Sequence, residues 1–315
     1  MRYDDFRRSD DIEDRRDDSG GGFGGGGGGG GFGLPMGGGG LGIGTIIVLG
    51  LVGYAFGIDP RILIGGAEIL TGGGQAPTYQ SDRPSQQAKR GAPTDEMGSM
   101  ISGILGEIDD RWSEIFQASG QSYTGPKVVL FRNATNGGRC GRAESAMGPF
   151  YCPPDRTIFL DTGFFREVET RFHGCSGKSA CNFTSAYIIA HEAGHHIQNL
   201  LGIIPKVTRL QQQAGSKAEA NALQVKVELQ ADCLSGVWVN REAKKRPNFL
   251  EAGDIDAALT TASAIGDDTL QRQATGRVVP DSFTHGSAAQ RKQWFMTGYQ
   301  QGNLQACNTF GSGGP

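Results

Sequence analysis

The sequence predicts an α+β protein, one mostly helical domain with a small sheet, preceded by a Gly-rich tail and a single apolar span. Three observations predict it. Apolar residues recur at helical spacing along several long stretches, β-type runs are short and few, and the first hundred residues lack the composition of a packed core. The part after the span, about two hundred residues, is ample for one core.

Residues 1–18 mix eight acidic and five basic side chains, and residues 19–40 are almost all glycine. Such composition does not offset the entropy of ordering, so residues 1–40 are expected to form a disordered tail. The tail has no Lys-Ser/Thr of a phosphate loop, so its glycines are not a nucleotide cradle. Residues 41–58 carry no charge and predict a transmembrane helix, a single attachment to the lipid bilayer. The run begins too far along the chain for a cleaved signal peptide. Five arginines precede it and only Arg61 follows within the next twenty residues. The N-terminus is therefore expected to be cytoplasmic and the domain periplasmic or extracellular.

Residues 59–96 read as a linker, and residues 97–310 as the domain. A helix is predicted from near Asp95, with Ile101, Ile104, Leu105, Ile108 and Trp112 on one face. Short strands are predicted at Lys127–Phe131 and at residues 157–160. Ala186, Ala190, Ala193, Ile197 and Leu201 mark a buried helix, and a long helix is predicted over about residues 205–244. Two more follow near Asp254–Ala264 and residues 287–301.

All six cysteines fall after the span, an even set that suits an oxidising compartment. Of the fifteen pairings that six cysteines allow, Cys140–Cys152, Cys175–Cys181 and Cys233–Cys307 are expected, with buried free thiols the alternative. The net charge of −3 equals that of residues 1–18, so the remainder is near neutral and gives no argument for nucleic-acid binding.

The chemistry lies in His191-Glu192-Ala193-Gly194-His195. On a helix, positions i and i+4 share a face, so both histidines can aim a ring nitrogen at one Zn2+, with the Glu192 carboxylate beside them to take a proton from water. Gln198 and Leu201 exclude the class whose third histidine follows six residues after the second. Glu228 and Asp232 are again i and i+4, so Glu228 is the candidate third ligand and Asp232 the candidate acceptor for the free ring N–H of His191 or His195.

Together these segments resemble the gluzincin arrangement, and more widely the bacterial membrane-anchored "putative neutral zinc metallopeptidase" family. The likeness runs from Tyr151-Cys152-Pro153 through residues 158–161, 191–196 and 228–233 to residues 282–287. It implies a zincin-like fold, a zinc-dependent peptidase acting on a peptide or protein substrate, ligands His191, His195 and Glu228, and Glu192 as general base. Residues 156–161 are placed by that likeness at the sheet edge that takes substrate by strand addition. His285 is open between three roles: stabilising the oxyanion, leading into the following helix, or serving as an alternative third ligand. His196 points about 100 degrees from His195 and is expected beside the ligands or toward solvent. His173 reads as a structural loop residue. A non-catalytic binding or scaffold protein with a structural zinc is the rival reading, since a closed four-ligand site has no place for water.

Overall fold

A computed structural model of the protein describes residues 1–18, 89–170, 175 and 177–311. Five strands form a mixed sheet in the order β2-β1-β3-β7-β6. They are β1 (Ile12–Asp14), β2 (Lys89–Arg90), β3 (Lys127–Phe131), β6 (Phe150–Cys152) and β7 (Thr157–Asp161). β1, β3 and β7 run parallel, while β2 and β6 close the two edges antiparallel. A two-stranded ribbon, β4 (Ala134–Asn136) and β5 (Arg142–Glu144), projects between β3 and β6 in the chain.

Helix α1 (Glu96–Ala118) starts where Asp95 accepts the Gly98 N–H, the expected cap. Its buried face carries Ile101, Ile104, Leu105, Ile108 and Trp112, as the periodicity predicts. After α2 (Thr162–Thr170) come α3 (Lys178–Leu200), α4 (Ile203–Gln213) and α5 (Lys217–Lys245). The single helix expected over residues 205–244 is thus two. Gly215 and Ser216 interrupt it, and Ser216 caps α5 by accepting from Glu219 N. The last helices are α6 (Asp254–Ala264), α7 (Asp267–Thr275) and α8 (Ala288–Gln301). Helices and sheet share one main core built on Trp112, Tyr187, Phe183, Trp238, Phe249 and Phe295. The three expected cysteine pairs are formed.

Residues 1–18 correct the expectation of a disordered tail through residue 40. Met1, Phe6 and Ile12 are buried in the core, and Ile12, Glu13 and Asp14 pair with Val128, Val129 and Leu130. The segment lies so close to α1 that a Cβ on Gly106 would sit 1.8 Å from the Arg7 carbonyl oxygen. Its charges are matched rather than solvated. Arg16 bonds Asp14 and Asp95, and Arg7 bonds Asp110. Composition alone hid three apolar anchors among paired charges.

Residues 41–58 lie outside the described residues, as do the glycines before them and His173. Among the described residues no helix is long and apolar enough to cross a membrane. The expected orientation rests on that span and lies outside the described residues with it. Strands that exchange hydrogen bonds lie on the same side of any bilayer, and β1 pairs with both β2 and β3.

Candidate metal centre

Helices α3 and α5 cross at Gly194, where an added Cβ would lie 3.0 Å from the Ala231 carbonyl oxygen. Only a glycine gives α5 this approach without displacement, and the crossing brings His191 and His195 opposite Glu228. Glu228 Oε2 lies 3.2 Å from His191 Nε2 and 3.4 Å from His195 Nε2. One ligand atom from each of the three residues falls within 4.8 Å of the others.

The far nitrogen of each ring is held by a different partner. His191 Nδ1 donates to Asp232 Oδ1 at 2.9 Å, the role expected of Asp232. His195 Nδ1 donates to Gln198 Oε1 at 2.9 Å. The Gln198 amide nitrogen is committed to Val227 O and Gln230 Oε1, which fixes its oxygen toward the ring. With protons held on both Nδ1 atoms, the Nε2 atoms face the shared point, where a metal would replace the proton that His191 Nε2 shares with Glu228.

Two imidazoles and one carboxylate suit zinc in number and chemistry, and the local field favours a cation there. Burial pushes His191 down, but Asp232 and Glu228 outweigh it and raise the group to about 10. Burial raises Glu228, yet His195 and His191 hold it well below the usual carboxylate range. Glu192 is buried beside the ligands, and burial pushes its pKa up, the direction that suits a proton acceptor near neutrality.

His191, Glu192, His195 and Glu228 line a cleft of about 1000 Å³. Phe150 and Tyr151 of β6 form part of one wall, and His285 lies on another. The sheet edge at the cleft is therefore β6. The segment expected there, residues 156–161, is instead β7, paired on both sides by β3 and β6. Two hydrogen-bonding neighbours leave it no free edge. His285 is not among the converging ligand atoms. Its Nδ1 faces Asp267 Oδ1 at 3.3 Å, and Asp267 Oδ2 gathers the backbone N–H groups of Thr284, His285 and Gly286. The loop is so fixed in the cleft wall just before α8.

His196 is fully buried and faces away from the ligands. It donates from Nε2 to the Thr124 carbonyl and accepts at Nδ1 from Tyr151 OH, so it ties α3 to β6. Burial lowers it to about 4, and it stays neutral at ordinary pH. Gln198 and Arg291 escaped the sequence reading. Gln198 carried a signal, standing three residues after His195 on one helix. Arg291 carried none: only the structure shows that Arg291, Phe295 and Gly298 are the buried stripe of α8, where a basic residue requires a buried acid.

The family described as "Putative neutral zinc metallopeptidase" matches residues 1–310. "Uncharacterized protein YpfJ" of Escherichia coli is 44% identical over 311 residues, 99% of each chain. "Uncharacterized protein Rv2575" of Mycobacterium tuberculosis is 43% identical over 211 residues, 64% of this chain and 67% of its own. No solved structure matches.

Proposed function

The chain belongs to the "putative neutral zinc metallopeptidase" family, and from that membership we propose that it hydrolyses peptide bonds with zinc held by His191, His195 and Glu228. The observation that carries the reading is the convergence of these three donors on the wall of an open cleft, with Glu192 beside them. Zinc, when bound, supplies a Lewis acid for the scissile carbonyl and lowers the pKa of water. Glu192 accepts a proton from the attacking water and returns it to the leaving amine. Burial lowers the pKa of His285, while Asp267 and Glu228 outweigh it and raise it. The proton kept on Nε2 is available to the developing oxyanion. The free edge of β6 takes the substrate backbone as an added strand.

The scaffold alternative needs a fourth protein donor. Asp232 does not serve, because both its oxygens are engaged by Arg291, Tyr187 and the far side of His191. Attachment to a bilayer through residues 41–58 is part of the proposal. Residues 1–18 and the domain are then on one side of it, and three disulfides support the periplasm or the cell exterior.

The test compares the purified chain with Glu192→Gln on a mixed peptide digest. We expect zinc in both and hydrolysis slowed by roughly 10²–10⁴-fold in the variant. A zinc-loaded parent that cleaves nothing would leave a structural zinc site, and a variant that cleaves equally well would remove Glu192 as the base.

A further inference from the structure

Asp232 has no exposed surface, and its carboxylate receives more than the one ring proton expected of it. Oδ1 accepts from His191 Nδ1, from Tyr187 OH at 2.6 Å and from Arg291 Nη2 at 2.9 Å. Oδ2 accepts from Arg291 Nε at 2.9 Å. Arg291 therefore grips both oxygens with its planar fork, and Nη2 also donates to the Tyr187 oxygen at 3.2 Å. A carboxylate turns freely about its last bond, whereas one held at both oxygens has its plane set.

Resting on the metal reading above, we infer that Arg291, a hundred residues after the first ligand, is a positioning residue for the metal centre. It fixes the plane of Asp232, and Asp232 fixes the ring of His191 so that Nε2 meets Glu228 and the metal.

The competing view is that Arg291 merely docks α8 onto α5. Packing already does that. A Cβ on Gly298 would lie 1.9 Å from the Cys233 carbonyl oxygen and one on Gly236 2.1 Å from that of Phe295, so the two backbones touch. Phe295 is fully buried at the contact, and Cys233–Cys307 ties the chain just beyond α8 back to α5. A buried ion pair is weak support for stability compared with apolar residues of the same volume. Its worth here is direction.

The experiment measures zinc affinity by chelator competition, and thermal unfolding, for the purified full chain and for Arg291→Met, Arg291→Lys, Asp232→Asn and the Arg291→Met/Asp232→Asn pair. We expect Arg291→Met to weaken zinc binding by about 10–100-fold. Lysine keeps the charge without the fork, so Arg291→Lys should recover the melting temperature and leave zinc binding weakened. In the Asp232→Asn background the arginine should no longer matter, because it acts through that carboxylate. Zinc affinity within twofold of the parent in Arg291→Lys and Arg291→Met would overturn the inference, as would an undiminished effect in the Asp232→Asn background. If Arg291→Met does not fold, Arg291→Lys still decides. A parent that binds no zinc removes the metal reading itself, an outcome distinct from unchanged affinity in the variants.

Discussion

Asp109 on α1 accepts from Tyr123 OH at 2.9 Å, and the Tyr123 ring stands edge-on to His196 behind the metal helix. Burial lifts the Asp109 pKa to about 7 from its ordinary 3.8. A carboxyl whose folded pKa is raised stabilises the fold fully below its unfolded pKa, and that contribution is lost as pH rises through the folded value. The parent should thus lose roughly 2–4 kcal/mol between about pH 4 and pH 7 on this group's account. Asp109→Asn keeps an acceptor and cannot ionise, so denaturant unfolding should show it more stable than the parent at pH 8 and equal to it at pH 4. Identical pH profiles would mean that Asp109 is ionised without penalty. At this scale the candidate ligands were legible because helical spacing pairs His191 with His195 and Glu228 with Asp232. Tyr187 and Arg291 were not, since their common partner Asp232 lies 45 and 59 residues away in the chain.

Glycine decides how the helices meet. At Gly194 the contact is close but yielding, whereas at Gly298 an added methyl group would enter the Cys233 carbonyl of α5. Gly298→Ala should cost about 1–3 kcal/mol despite the better helix propensity of alanine, because backbone has no rotamer to give. Chemical denaturation reads this directly, and a neutral or stabilising result would show that α8 slides freely on α5. Long elements were legible from their periods, as α1 and α3 show. The edges of the sheet were not. β1, β2 and β6 have two or three residues each, too few for a period of two to emerge, and they exist through the partners that pair with them. The break between α4 and α5 was written in Gly215-Ser216, a capping signal masked by strong helix formers on either side, Gln211 to Ala214 and Lys217 to Ala220.

For the molecule as a whole, residues 1–18 were the least legible part. Net charge and glycine count describe an unfolded tail, yet Met1, Phe6 and Ile12 bury themselves while the surrounding charges find partners on α1 and at Asp95. The sheet makes this a statement about sides. Cysteines introduced at exposed Asp5 and exposed Lys244 should react with a membrane-impermeant maleimide from one face of the membrane only, the same face for both. Labelling from opposite faces would mean that β1 and β3 do not pair in the cell.

The pairing of Ile12 with Val128 also sets a clock. β1 meets its short antiparallel partner β2 at Lys89–Arg90, but its parallel neighbour β3 only after more than a hundred further residues have been made, a wait on the order of ten seconds at ~5–20 residues per second. β1 therefore waits on a distant part of the chain for its place, and a ribosome that stalls before β3 leaves that segment without its parallel partner.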